Sequence, residues 1–103
     1  TEGDFETAFH IWSEEAESGN PDAQESLAAM YAAGRGTQQN YEAAIRWYVK
    51  AAEQGSGSAL FTLGRIYHEG TGVQKDPVKA CVYFLISAAN GNESAKNKQR
   101  LIF

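Results

Sequence analysis

Cysteine and histidine, the residues that most often build disulfide frameworks and metal centres, are nearly missing from this chain of 103 residues. Its one cysteine, Cys81, has no second thiol with which to form an intramolecular disulfide. The two histidines, His10 and His68, lie far apart with no cysteine near them, whereas a zinc site needs three or four ligands at recognisable spacings. The sequence therefore predicts no metal site and no bound cofactor.

A long hydrophobic run and a basic stripe are also missing. No apolar run approaches the roughly 20 residues that cross a bilayer. The net charge is −4, with eight acidic residues and no Lys or Arg in residues 1–34, and five acidic against nine basic residues in 35–103. Nucleic-acid binding calls for basic residues clustered on one face, and this chain has no such stripe. We expect the charges to belong to solvated helix faces.

No arrangement typical of catalysis is visible. The glycine pairs Gly34–Gly36 and Gly70–Gly72 lack the GK[ST] of a phosphate-binding loop, and their recurrence indicates turns between helices. No serine or cysteine has a candidate general base nearby, and we expect Cys81 to be a small buried side chain. We therefore predict that the chain is not an enzyme.

What the chain does contain is a repeat of 36 residues. Leu27 returns as Leu63, and Tyr31 returns as Tyr67. The same step relates four further pairs, namely Gly34 and Gly70, Gly36 and Gly72, Ala44 and Ala80, and Gly55 and Gly91. A fixed period between 20 and 50 residues indicates a solenoid of stacked supersecondary units.

The residues at the ends of each segment predict two helices per repeat. Capping side chains stand directly before proline in Asn20-Pro21 and Asp76-Pro77, and Asn40 holds the equivalent position. A glycine follows the helical segments, and a helix often ends at a glycine because that residue readily adopts the left-handed conformation. The predicted helices are 4–18, 21–33, 41–54, 58–69, 77–90 and 93–103. We call the first helix of each repeat helix A and the second helix B, so the chain order is B, A, B, A, B, A.

These helices predict one all-α domain over residues 1–103, a right-handed α-solenoid of antiparallel helix pairs with about six helices. Its parts are a B-helix half unit at 4–19, repeat one at 20–55, repeat two at 56–91 and a terminal A helix at 92–103. The last helix carries Lys96, Lys98 and Arg100 and has Gln99 in place of the repeat leucine. A polar terminal unit is typical of a solenoid cap.

The 36-residue unit resembles the Sel-one-like repeat, a subfamily of the tetratricopeptide-like repeats. The second repeat carries the family pattern in Ala59, Leu63, Gly64, Tyr67, Gly70, Gly72, Val73, Asp76, Ala80, Tyr83, Phe84, Ala88 and Gly91. The first repeat departs from it at Ala28 for glycine, Thr37 for valine and Asn40 for aspartate. The resemblance covers nearly the whole chain.

The resemblance implies a non-catalytic adaptor or scaffold that binds a protein or peptide, of a kind found in many exported bacterial proteins. It also implies that the chain belongs to a longer repeat array and favours an exported or periplasmic bacterial location. In such arrays the A helices line the concave side, so A-helix residues opposite the Leu27 stripe would face a partner. The predicted partner-binding residues are Glu25, Ala29, Ala32, Phe61, Arg65, His68, Asn97 and Leu101.

Two alternatives to this interpretation stay open. Phe61 could simply pack against a neighbouring helix, with Arg65 and His68 as ordinary solvated surface. The same three residues also suit a small ligand or a cell-wall glycan, because aromatic and cationic groups together fit sugars with acidic substituents. Cysteine-rich relatives have been linked to penicillin binding, but a chain with Cys81 alone compares poorly with them.

Overall fold

The helices begin and end within two residues of the positions that the sequence predicts. A computed structural model describes residues 2–90, with side chains described from Asp4 onward. Over these residues it has five α-helices, which are α1 (Glu2–Glu17), α2 (Pro21–Ala33), α3 (Tyr41–Glu53), α4 (Gly57–Glu69) and α5 (Pro77–Ala89). The described helix count is thus five rather than about six, because the predicted terminal helix at 93–103 lies outside the described residues.

Four helices begin at a side chain that accepts hydrogen bonds from backbone N–H groups of the first turn. These caps are Asn20 (2.9 and 3.2 Å), Asn40 (3.1 Å), Ser56 (3.2 Å) and Asp76 (3.0 Å). The sequence predicts the three Asn and Asp caps but not Ser56. An N-cap of this kind stabilises a helix by about 1 kcal/mol, because it satisfies donors that the helix itself leaves without partners.

The turns between helices A and B repeat their backbone geometry after 36 residues. The carbonyl of Tyr31 accepts a hydrogen bond from the N–H of Asn40 at 2.8 Å, and the carbonyl of Tyr67 accepts one from Asp76 at 2.9 Å. Glycines hold the left-handed conformation at both turns, with φ of 69° and 74° at Gly34 and Gly36 and of 72° and 73° at Gly70 and Gly72. The sequence repeat is therefore also a repeat of the backbone.

The chain divides into two compact units, Thr1–Ala51 and Ala52–Phe103, each of which is described by itself. In the first unit, buried Ala16, Ala23 and Leu27 form a cluster in the core, and four aromatic side chains pack against it, namely Phe9, Trp12, Tyr31 and Trp47. The rings of Phe9 and Tyr31 meet edge to face with their centroids 5.3 Å apart. Leu27 points into this core, as the stripe on helix A predicts.

In the second unit, α4 packs closely against α5. Gly64 lies directly beneath the ring of Phe84, so that a β-carbon added at Gly64 would lie 2.6 Å from a ring carbon. The fully buried Ser87 donates a hydrogen bond from its hydroxyl to the carbonyl of Gly57 at 2.7 Å. Cys81 is only partly buried, with a free thiol, so the expectation of a buried cysteine is met only in part.

Candidate functional site

In the first unit, the predicted site residues lie on the side of α2 away from its core. Leu27 is 1% exposed, whereas Ala29 is exposed and both Glu25 and Ala32 are partly buried. The 3.6-residue period of the helix explains this, because Ala29 lies about 200° around the axis from Leu27.

Ala29 lines a cleft between α1 and α2 that has a volume of about 400 Å³. Aromatic and small side chains form most of its walls, and they are Phe5, Ala8 and Trp12 from α1 and Ser26, Ala29, Met30 and Ala33 from α2, together with Arg35 after α2. Met30 is 8% exposed. We call this feature the α1/α2 cleft. Of the site residues predicted for this unit, Ala29 alone is part of its lining.

The α1 wall of the cleft was missed from the sequence because only the A helices were considered as binding elements. The signal was present: Phe5, Ala8 and Trp12 follow each other at steps of three and four residues, which places them on one face of α1.

The turn after α2 brings a cation to one end of the cleft. The guanidinium carbon of Arg35 lies 5.2 Å from the centroid of the Phe5 ring, a cation–π distance. Gly36 allows this approach, because a β-carbon there would collide with the backbone carbonyl of Phe5. The cleft therefore combines an apolar floor with one positive charge, carried by the exposed Arg35.

In the second unit, α4 presents Phe61, Arg65 and His68. Arg65 and His68 are exposed, whereas Phe61 is partly buried and packs on the Phe84 ring with centroids 5.4 Å apart and planes tilted by 48°. The Nη2 of Arg65 lies 3.9 Å from the Oε2 of Glu69, with both side chains more than half exposed. Exposed ion pairs of this kind contribute little to the free energy of folding, so the guanidinium of Arg65 can exchange Glu69 for another acceptor. Asn97 and Leu101 lie outside the described residues.

The described side chains offer little further chemistry. Among them no group of three or more His, Cys, Asp or Glu residues could hold a metal ion. Burial, and secondarily the neighbouring Tyr67, raises the pKa of Tyr83 above 10, while Lys79 partly offsets the rise. The ring of this tyrosine stacks on that of Tyr67, with centroids 5.9 Å apart. Over the described part of the chain, no helix is both long and apolar enough to cross a membrane.

Helix pairs that repeat in both sequence and backbone define an all-α repeat protein. The Sel1 repeat family matches residues 21–56 and 57–92, and the chain therefore belongs to the Sel1 repeat family. No curated protein matches the chain.

Solved structures agree with this assignment. A Sel1 repeat protein from Oxalobacter formigenes is 43% identical with a TM-score of 0.79, over 86% of this chain and 67% of that one. A protective antigen present in uropathogenic Escherichia coli strains, which displays an SLR fold, is 33% identical with a TM-score of 0.82, over 88% of this chain and 20% of that one. Cysteine rich protein B from Helicobacter pylori, at 24% identity and a TM-score of 0.81 over 86% of this chain and 67% of that one, shares the fold.

The comparisons confirm the resemblance and the fold class that the sequence predicts, an all-α solenoid of helix pairs. Sel1 repeats are generally protein–protein interaction modules and non-catalytic scaffolds.

Proposed function

We propose that this chain is a non-catalytic interaction module that binds a segment of a partner protein on the face of its A helices, which is the concave face of the repeat array. The observation that carries the proposal is the α1/α2 cleft, in which Ala29 and Met30 of the A helix α2 lie beside Phe5 and Trp12 of the B helix α1. Apolar clefts with a few polar groups are the usual sites at which proteins take up ligands.

The lining of the cleft suggests how a partner is held. Its volume of about 400 Å³ accommodates a large apolar side chain together with the adjoining backbone. Aromatic residues and arginine supply most of the binding energy in protein interfaces, and both are present as Phe5, Trp12 and Arg35. Arg35 gives the cleft a preference for a carboxylate next to the inserted apolar side chain.

The face of α4 supports a second contact of the same chemical kind. Phe61 keeps part of its ring exposed, while Arg65 and His68 extend into solvent. Apolar and acidic side chains of a partner would complement this face, as they would complement the cleft. Because Phe61 already packs on Phe84, less of its ring is left to stack on a sugar, and for that reason we rank a protein partner ahead of a glycan.

The experiment is a calorimetric titration of a partner, identified by cross-linking to the full chain, against three variants. Ala29→Arg fills the cleft with a charged chain, and we expect it to weaken binding at least about tenfold, a loss typical of an interface anchor. Arg65→Glu reverses a charge on the exposed face of α4, and we expect a loss of similar size.

Arg46→Glu on α3 is the matched control, since Arg46 is also exposed but α3 contributes no side chain to the lining of the cleft. Lys79 serves less well as a control because its ammonium lies 4.7 Å from the centre of the Tyr67 ring. Binding that is abolished by Arg46→Glu and unaffected by Ala29→Arg and Arg65→Glu would refute the assignment of the A-helix face.

A further inference from the structure

The three described B helices share one face, and this face is buried in two of them and open in α1. The 36-residue step relates Ala8, Trp12 and Glu15 of α1 to Ala44, Tyr48 and Ala51 of α3 and to Ala80, Phe84 and Ser87 of α5. The six residues on α3 and α5 are at most 8% exposed. In α1, by contrast, Ala8 and Trp12 are only partly buried and Glu15 is exposed. We call these three residues the open face of α1, and its first two residues line the α1/α2 cleft.

In the second unit, an A helix covers the equivalent face. The ring of Phe84 packs on that of Phe61 with centroids 5.4 Å apart, and it lies directly over Gly64 of α4. The hydroxyl of Ser87 donates a hydrogen bond to the carbonyl of Gly57, the first residue of α4, at 2.7 Å. The start of α4 therefore lies at Ser87 near the end of α5, and the two helices run antiparallel.

The same packing on α1 would fill the α1/α2 cleft. Helix α2 also runs antiparallel to α1, because the side-chain amide of Gln24 donates to the carbonyl of Ala16 at 3.1 Å and Arg35 lies over the ring of Phe5. A helix seated on the open face of α1 as α4 is seated on α5 would thus run parallel to α2. Its first turn would lie at Glu15, and a small residue in its middle would face Trp12.

The charges at the two ends of the cleft favour the same orientation. Glu15 belongs to the last turn of α1, which has no basic residue, and an acidic side chain there opposes the dipole of α1 itself. A docked helix that begins at Glu15 sets its positive end and its N–H groups without partners against this carboxylate. The negative end of the docked helix would then lie toward Arg35, at the opposite end of the cleft. The charges of the cleft therefore complement a helix in this direction.

We propose that the α1/α2 cleft docks an amphipathic α-helix of a partner protein, parallel to α2 and with its N-terminus at Glu15. The proposal rests on the proposed function and states the form of the segment that the cleft binds. The docked helix has the pattern of α4, in which the apolar Leu60 and Leu63 and the small Gly64 are buried together. Amphipathic helices that lay their apolar face into a groove are a recurring mode of recognition.

The test uses the full chain, residues 1–103, and a synthetic peptide with the sequence of residues 56–70, acetylated and amidated at its ends. Arg65→Lys in the peptide permits a lactam with Glu69, which holds the peptide helical through two positions that are exposed in α4. Trp47→Phe in the protein leaves Trp12 as the only tryptophan, and the peptide contains none. We expect a saturable blue shift of Trp12 fluorescence up to about 1 mM peptide. Calorimetry with the parent chain measures the same binding without the change at Trp47.

Two variants of the protein test the orientation. Glu15→Lys sets an ammonium group against the positive end of the docked helix, so the affinity should fall at least about fivefold. Glu14→Lys is the matched control, because it makes the same charge change one residue away, on a face of the B helix that is exposed in α1, α3 and α5. Its effect on the affinity should be less than about twofold, since a separated surface charge is screened.

Two changes in the peptide test whether a seated helix is what binds. Gly64→Leu raises helix propensity and adds apolar surface, but the larger side chain would collide with Trp12, so we expect a loss of roughly tenfold. The same peptide without the lactam should also bind more weakly than the parent peptide, because it has to be ordered on binding.

Three results would overturn the proposal. Neither fluorescence nor calorimetry could show saturable binding up to about 1 mM, Glu14→Lys could weaken binding as much as Glu15→Lys, or the Gly64→Leu peptide could bind as well as the parent peptide. The proposed function fails differently, when Ala29→Arg leaves the affinity of the identified partner unchanged. If Ala29→Arg weakens that partner while the lactam peptide does not bind, the cleft remains the binding site and the docked helix is refuted.

Discussion

Replacing glycine with alanine inside a helix usually stabilises a protein. At Gly64 we expect the opposite, a loss of stability. Gly64 lies inside α4, where alanine is ordinarily better than glycine by about 1 kcal/mol. Here the added β-carbon would lie 2.6, 2.7 and 3.1 Å from three carbons of the Phe84 ring. Phe84 is 5% exposed, so its ring has little room to withdraw.

The expected magnitude follows from these two opposing effects. Overpacking costs about 1–3 kcal/mol, and a β-carbon only 2.6 Å from the ring puts the cost in the upper part of that range, at about 2–3 kcal/mol; the gain in helix propensity offsets about 1 kcal/mol of it. We therefore expect Gly64→Ala to lower the free energy of unfolding by about 1–2 kcal/mol. For a domain of this size that lowers the melting temperature by about 5–10 °C.

Urea denaturation monitored by circular dichroism measures the effect, and a double-mutant cycle with Phe84→Leu assigns it. If the ring is the obstacle, Gly64→Ala should be neutral or stabilising once the ring has been removed. Ala28→Gly is the matched control, because Ala28 holds the equivalent position of the first repeat and is fully buried; we expect it to destabilise. An unchanged or increased stability of Gly64→Ala in the parent background would refute the packing argument.

Three further predictions concern single contacts. Tyr67→Ala should destabilise by about 2–3 kcal/mol in thermal melts, less than a fully buried ring would, because Tyr67 is partly buried between Tyr83 and Lys79. The folded-state pKa of Tyr83 is raised, so the stability that this residue contributes is intact below pH 10 and falls as the pH rises above 10. Tyr83→Phe should remove this part of the decline, which urea titrations at several pH values measure. Asn20→Ala should lower the free energy of unfolding by about 1 kcal/mol in the same denaturation assay, since two N–H groups lose their acceptor. A variant as stable as the parent would show that the cap contributes nothing.

The helices could be predicted from the sequence because their ends depend on local chemistry. Asn20, Asn40 and Asp76 cap from their own side chains, and Gly34 and Gly70 adopt the left-handed conformation that other residues avoid. Such interactions depend on a few neighbouring residues, so the pattern predicts them. The cap at Ser56 could have been predicted in the same way as Asn40, because the 36-residue step relates Ser56 to the cap Asn20.

The cleft could be predicted only in part, because it is formed by two helices. The period of α2 predicts that Ala29 points away from Leu27, and the structure agrees. No single-helix pattern predicts that Phe5 and Trp12 of α1 line the same cleft, or that Arg35 approaches Phe5 after a turn at Gly36. Phe61 shows the same difficulty, because its contact with Phe84 depends on how α4 and α5 pack.

The most direct test of the central claim, binding by the A-helix face, is a nuclear magnetic resonance titration of the labelled full chain with its identified partner. The account predicts that the largest changes in amide chemical shift occur at Ala29, Met30 and Arg35 around the cleft and at Arg65 and His68 on α4. The exposed B-helix residue Arg46 should change little. Changes confined to α3 and α5, with the cleft unaffected, would contradict the account.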